Sequence, residues 1–263
     1  MHAPPDGSDI RLRLRVFAGP NGSGKSTVIQ YVREQKVNGK LIDFGIYVNA
    51  DDIAKKLREN VFSFADYDLS VDNNQFTEIA SDSGLIGKEF DEARFIASYS
   101  FRNGTIKLID RSADERLAQI IAYFIRKKLL MEKKKFSFET VFSHSSKLDI
   151  MREALSNGYK VYLYFVSTES PYINTFRVAA RKAKGGHDVP EDKIVSRYYR
   201  SLALLSEASQ IAYQAFYFDN SEEGVDFKIF AHFKKTGKKM KWDRLDKKDI
   251  PNWFKKYYLS KVQ

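Results

Sequence analysis

Apolar and polar residues alternate along IRLRLRVFA, from Ile10 to Ala18, and the run ends apolar, the pattern of a strand entering a core. STVIQYVREQ, beginning at Ser26, reads as the start of a helix. A short apolar strand follows over 45–49 and leads through Ala50, Asp51 and Asp52 into a second helix. Farther on, ADERLAQIIAYFIRKKLLMEKK places Leu117, Ile120, Ile121, Phe124, Ile125 and Leu129 on one helical stripe wide enough to pack on a sheet. KFSFETVFS is a strand ending in Glu139 and Thr140, KLDIMREALSNGY a helix ending near Gly158, and KVYLYFVST a nearly all-apolar run of the kind buried in parallel sheets. Helices are predicted over 171–184 and 191–212, separated by GGHDVP, before a last strand in AFYFDNS. Strands separated by helices predict an α/β fold with a doubly wound, mostly parallel sheet, whose ligands gather at the C-terminal strand ends.

Two segments stand outside that alternation. Residues 59–110 mix acids, Asn and Ser among apolar groups and predict a helical insertion or lid, its best helix over 85–98. At the other end, FKIFAHFKKTGKKMKW reads as two strands around a Thr-Gly turn, and IPNWFKKYYLSK as a terminal helix docked through Trp253 and Phe254. The expected organisation is a principal domain over 1–225 and a C-terminal extension over 226–263 packed on its core.

Charge changes the picture of that extension. Of the net +10 carried by 263 residues, twelve Lys or Arg against three Asp lie between Lys228 and Gln263, a surplus of nine. A basic segment with interleaved aromatics can engage nucleic acid, although charge runs more often belong to solvated faces. The 43% hydrophobic content supports a sizeable core, and the absence of cysteine excludes disulfides and thiolate metal sites. The opening MHAPPDGSDIRLRLR lacks the apolar stretch of a signal peptide, and no window approaches the roughly 18 apolar residues of a membrane span, so a cytoplasmic location is expected.

Between the first strand and the first helix stands FAGPNGSGKST. Gly19, Pro20, Asn21, Gly22, Ser23, Gly24, Lys25 and Ser26 fit G-x-x-x-x-G-K-[ST] at every fixed position, and the strand, loop and helix stand in the order a P-loop requires. Backbone N–H groups at the helix N-terminus, with Thr27 completing the motif, then face triphosphate oxygens; Lys25 reaches the β- and γ-phosphates and Ser26 ligates Mg2+. A P-loop specifies a nucleotide without specifying a reaction. The chain has neither the LSGGQ-like signature and Asp-Glu strand end of transporter ATPases nor the N-K-x-D guanine reader of GTPases. It does place isolated polar residues after strands: Asp51 after the second, Glu139 and Thr140 at the end of the third. Transfer to a small molecule needs such a carboxylate to take the acceptor's proton. Asp51 can equally cap its own helix, and Glu139 can organise magnesium or water. Arg177 and Arg181 share one helix face, Arg197 and Arg200 the next, and Gly185-Gly186 allows a turn between them. The arrangement suits a lid whose guanidinium groups meet transferring phosphate. His187 in that turn reads as a loop-stabilising hydrogen bonder, and nothing fixes a role for His144.

FAGPNGSGKST, VNADDIA, FSFETVFS and RVAARKAKGGHDVPEDKIVSRYYRSL, in this order, resemble the zeta toxin family of bacterial P-loop kinases, particularly its branch labelled predicted ABC-type ATPases. The likeness spans about residues 13 to 220. Zeta toxins phosphorylate a sugar hydroxyl of UDP-N-acetylglucosamine, so the resemblance implies a kinase with a nucleotide-sugar acceptor, and an antitoxin protein as partner. It implies Lys25 and Ser26 on ATP and Mg2+, Asp51 as the base, Glu139 and Thr140 among the acceptor contacts, and Arg177, Arg181 and Arg197 on phosphate. The family places a residue between its Glu and Thr; here the two are adjacent, with Ser143 just beyond as a further acceptor contact. Residues 59–110 and the basic extension match the family poorly. The competing expectation is an ATPase module or polynucleotide kinase that engages nucleic acid through the extension.

Overall fold

The computed structural model describes residues 12–59, 61–185, 189–237, 239–245 and 249–262. In chain order its elements are β1 (Arg13–Ala18), α1 (Lys25–Glu34), β2 (Lys36–Val37), β3 (Lys40–Leu41), β4 (Ile46–Val48), α2 (Ala50–Glu59), β5 (Val61–Ser63), α3 (Asn73–Ser81), α4 (Glu92–Ala97), β6 (Tyr99–Arg102), β7 (Thr105–Leu108), α5 (Asp114–Met131) and β8 (Phe136–Thr140). Then follow α6 (Ser146–Ser156), β9 (Lys160–Ser167), α7 (Pro171–Ala183), α8 (Glu191–Ala203), α9 (Leu205–Ile211), β10 (Gln214–Asp219), β11 (Lys228–Thr236), β12 (Lys239–Leu245), and short terminal helices α10 (Asn252–Phe254) and α11 (Ser260–Val262). They form an α/β fold divided into two compact units, one of residues 1–44 with 140–263, the other of residues 45–139.

The first unit is built on the sheet order β12-β11-β10-β9-β1. β1, β9 and β10 are parallel, whereas β10, β11 and β12 are antiparallel neighbours. The parallel strands need helical crossovers, and α6, α7, α8 and α9 supply them. Alternation along the strands makes two unlike faces. Leu14, Val16, Leu163, Phe165, Ala215, Tyr217 and Phe233 are buried on one of them. Its centre is Tyr217, whose hydroxyl donates to Ser209 Oγ at 2.7 Å from α9 and whose ring meets Phe254 at 4.8 Å and Tyr258 at 5.8 Å. The opposite face carries a stack running across four strands: Phe44 on Phe17, Phe17 on Tyr164, Tyr164 on Phe216 and Phe216 on His232, with centroids 5.2, 4.7, 4.9 and 4.1 Å apart. Buried Arg15 lies beside it, donating to the Asp43 carbonyl and the Tyr164 hydroxyl while its guanidinium sits 4.6 Å over the Tyr162 ring. Hydrogen bonds and a ring face thus solvate a charge that burial takes from water.

The second unit contains the parallel pair β4 and β8, with Tyr47 opposite Ser137 and Val48 opposite Phe138. It also contains α2, the long α5 with its predicted stripe buried, and a three-stranded antiparallel sheet β5-β7-β6. Phe62, Phe64, Phe76, Phe95 and Phe124 close around one another as its core. The helix expected over 85–98 shrinks to α4, because Asp91 caps it by accepting from Arg94 N at 2.8 Å, while Gly87 and Phe90 pair in a turn ahead of that cap. Residues 99–108 form a hairpin instead, turned by Asn103 and Gly104 with φ of 49° and 70°. Positive φ at both central residues matches the right-handed twist of the strands, and Asn-Gly is the residue pair that tolerates it.

The helix expected over 191–212 is interrupted at Leu204 into α8 and α9. Among the described residues no helix is long and apolar enough to cross a membrane. Because Phe254 is fully buried against Tyr217, Phe230 and Tyr258, Phe254→Ala should lower the unfolding free energy by about 3–5 kcal/mol in guanidinium titrations. A loss below about 1 kcal/mol would show that the terminal helix contributes no core.

Candidate active site

The P-loop spans β1 and α1 inside the first unit. Gly19 lies so near β9 that a Cβ would stand 2.1 Å from the Val166 carbonyl oxygen, and a Cβ on Gly22 would stand 2.6 Å from that of Asn174. At both positions the obstacle is backbone and φ is positive, 148° and 74°, so only glycine fits. Gly24 caps α1 in a left-handed conformation without a side-chain cap, and the first turn holds no acid. The helix therefore starts with N–H groups that no local carboxylate or hydroxyl satisfies, the condition for anion binding. Buried Ser23 Oγ and Asn21 Oδ1 also lack a hydrogen-bond partner among the described residues. Lys25 is buried, and its ammonium donates to the Pro20 carbonyl at 2.9 Å.

Two asparagines hold the loop from outside. Fully buried Asn174 of α7 donates through Nδ2 to the Asn21 carbonyl at 2.6 Å, and its Oδ1 accepts from Thr168 Oγ1. Asn220, just past β10, donates to the Ser23 carbonyl at 3.0 Å. Arg177 donates to the Asn220 carbonyl at 2.7 Å and the Glu222 carbonyl at 3.2 Å, fixing the segment after β10. The same segment is anchored by Asp219, which accepts from Trp253 Nε1 and Ser221 Oγ, each at 2.8 Å. Neither asparagine emerges from motif reading. A signal for Asn174 existed in its spacing of three from Arg177, which puts both on one helix face.

Arg181 lies exposed on α7 and Arg197 half-buried on α8, where neighbouring Tyr198 donates to the Thr168 carbonyl at 2.6 Å. Val178, Val189 and Ile194 form the apolar contact that holds the pair of helices. Gly186 and His187 lie outside the described residues. Thr140 Oγ1 accepts from Phe142 N at 3.0 Å, supporting a left-handed Phe142 with φ of 59°, and Ser143 follows in the same loop. His144 is exposed and turns back onto Ser146, its Nδ1 lying 3.0 Å from Ser146 Oγ.

In the second unit, Glu139 meets a partner that the sequence did not announce. Glu139 Oε2 accepts from the Tyr47 hydroxyl at 3.1 Å and from Asn49 Nδ2 at 3.3 Å. Asn49 also caps α2, its Oδ1 accepting from Asp51 N at 2.9 Å. Asp51 is exposed in the first turn of α2, so Asn49 performs the capping that Asp51 was equally able to perform. Burial, followed by the adjacent Glu139 carboxylate, pushes the Tyr47 hydroxyl far above the ordinary phenol range and keeps it a donor. Among the described residues no group of three or more His, Asp or Glu is placed to hold a metal ion.

No protein-family model matches the sequence. An uncharacterized protein of Haemophilus influenzae is 35% identical over 63 residues, 24% of this chain and 45% of its own length. Among solved structures, a chain of the AvrRxo1-ORF1:AvrRxo1-ORF2 complex with sulphate ions matches 89% of this chain and 61% of its own length, with a TM-score of 0.53 and 14% identity. The same complex with ATP gives 0.50 at 15% identity over the same shares. The PezAT chromosomal toxin-antitoxin system of Streptococcus pneumoniae gives 0.44 at 11% identity, over 84% of this chain and 72% of the other. The chain thus spans about three fifths of the AvrRxo1 chains it matches and shares with them an α/β fold with a mostly parallel sheet.

Two measurements bear on this geometry. Asn220→Ala should weaken ATP binding about tenfold in calorimetry, since the Ser23 carbonyl loses its donor and the loop its tether, worth on the order of 1–2 kcal/mol; unchanged affinity would refute that role. For Tyr47, the unfolded phenol ionises near pH 10 while the folded one stays protonated, so stability is lost as pH rises above about 10. The stability difference between wild type and Tyr47→Phe should be constant below about pH 9 and shift against wild type by up to about 1.4 kcal/mol per pH unit above 10; a flat difference would contradict the burial argument.

Proposed function

We propose that the chain is an ATP-dependent kinase of zeta-toxin type that transfers the γ-phosphate to a hydroxyl of a small nucleotide-linked acceptor, of which UDP-N-acetylglucosamine is the model. The observation that carries the reading is the loop itself. Its glycines admit no Cβ, its helix start has no side-chain cap, and Asn21 Oδ1 and Ser23 Oγ are buried without partners among the described residues, as suits an anion cradle. The neighbour crystallised with ATP supports the choice of nucleotide. These residues also fit magnesium, with Ser26 at the start of α1 as the ligand from the loop; the ion supplies charge neutralisation on the phosphates when bound.

The chain's own residues are assigned the rest of the work. Lys25 leaves the Pro20 carbonyl for the phosphate oxygens. Asp51 takes the acceptor's hydroxyl proton as the new P–O bond forms and the bond to the ADP oxygen breaks. Glu139, oriented by Tyr47 and Asn49, holds the acceptor together with Thr140 and Ser143. Arg181 and Arg197 meet the transferring phosphate, while Arg177 acts through the Asn220 carbonyl as a positioning residue in this structure. The neighbours' occurrence as ORF1:ORF2 complexes supports a protein partner, for which an antitoxin is proposed. The basic extension keeps nucleic acid open as a second reading, with a polynucleotide end as the acceptor.

ADP release from ATP-Mg2+ should rise on addition of UDP-N-acetylglucosamine, and mass spectrometry should find a phosphorylated sugar nucleotide. Lys25→Ala should abolish the product, and Asp51→Asn should slow it by about 10²–10⁴-fold. Turnover indifferent to Asp51 would remove it as the base. End-labelling of oligonucleotides without sugar-nucleotide turnover would transfer the assignment to the second reading.

A further inference from the structure

A cavity of about 890 Å³ opens in the first unit beside α1, starting at Ser26 and Thr27, the residues that end the phosphate motif. One wall is α1, through Gln30 and Tyr31. The other comes from the C-terminal extension, through Phe227, Lys228 and Arg244. Volumes of roughly 300–1,000 Å³ are those of small-ligand pockets.

The cavity's chemistry is that of a nucleoside. Tyr31 meets Phe227 edge to face at 5.2 Å and 75°, and Phe227 meets Phe218 in the same manner at 5.3 Å and 80°. Those contacts fix an aromatic wall on which a base can stack. Glu34, Asp226 and Asp249 line the same space and offer carboxylates to ribose hydroxyls or an exocyclic amine. Lys228 is tied to Glu222 at 3.0 Å, whereas Arg244 makes no ion pair among the described residues.

The far wall is also mechanically part of the phosphate cradle. Trp253 of the extension bonds Asp219, and the next residue, Asn220, bonds the Ser23 carbonyl. Asn252 N donates to Glu169 Oε1 at 2.7 Å, and Glu169 N donates to Ser221 Oγ at 2.9 Å, pinning the terminal helix to the ends of β9 and β10. We propose that this cavity takes the nucleoside part of the donor nucleotide against the aromatic wall of Tyr31 and Phe227, so that the C-terminal extension forms half of the donor site. The proposal rests on the kinase reading only in placing a nucleoside triphosphate on the P-loop.

Calorimetry on the full chain with magnesium compares ATP with inorganic triphosphate, which has the phosphates and no nucleoside. ATP should bind at least tenfold more tightly. Phe227→Ala should erase that advantage and leave triphosphate affinity unchanged, as should Gln30→Trp, which fills the cavity from an exposed helix position and spares the Phe227 packing. Equal affinity of the two ligands for wild type, or a variant pair that leaves the ATP advantage intact, overturns the proposal while a Lys25-dependent cradle survives. Binding of neither ligand overturns both. Nucleoside-selective binding without any phosphorylated acceptor leaves the cavity assignment standing and removes the kinase.

Discussion

The P-loop is held in place while the N–H groups at the start of α1 stay unclaimed by any side-chain cap, and the structure around the loop follows from that constraint. A helix start normally recruits a Ser, Asp or Asn cap, which stabilises it by about 1 kcal/mol and occupies an N–H group. Here Gly24 takes the cap position and leaves the donors open. The lost restraint is supplied from the carbonyl side, where Asn174 and Asn220 bond the oxygens of Asn21 and Ser23. Fastening the carbonyls frees the opposite edge of the loop. It also demands close approach of α7, which explains why Gly22 faces the Asn174 backbone with no room for a side chain.

The same constraint gives the C-terminal extension a structural role that its charge conceals. Asn220 is useful only if the segment after β10 keeps its place, and Arg177 and Trp253 hold it from two directions. Trp253 and Phe254 are buried, and Phe254 shares the cluster around Tyr217 with β11 and β12 aromatics. In β12, Lys239 and Lys241 alternate with Met240 and Trp242, so a strand that is basic in composition is amphipathic in structure.

Much of this was legible in the sequence because it is enforced locally. The P-loop, the all-apolar β9 and the stripe of α5 each follow from spacing within a dozen residues. The β6–β7 hairpin was equally local, in the Asn103-Gly104 pair, but the scattered acids and serines around it masked the alternation. What spacing could not show are contacts closed over long separations. Asn220 lies 197 residues from Ser23, and Tyr47 lies 92 from Glu139. Arg177 shows the converse. Its residue type and helix face suggest phosphate, yet the backbone carbonyls after β10 satisfy the guanidinium as well as an anion's oxygens can, and only the fold reveals which it meets.

The second unit separates two carboxylates that composition alone treats alike. Glu139 has one oxygen engaged by both Tyr47 and Asn49, and the phenol stays protonated because burial and the neighbouring carboxylate both oppose its ionisation. A carboxylate so held is fixed in direction, which suits a group that orients an acceptor. Asp51 is exposed, and the capping work at its helix is done by Asn49, whose two ends serve both residues at once, Oδ1 toward Asp51 N and Nδ2 toward Glu139. A base must change its proton count in each cycle, so it is better placed where no fixed donor has to be displaced. By that reasoning the roles proposed for Asp51 and Glu139 would be divided by one asparagine, which caps the helix beside the first carboxylate and holds the second.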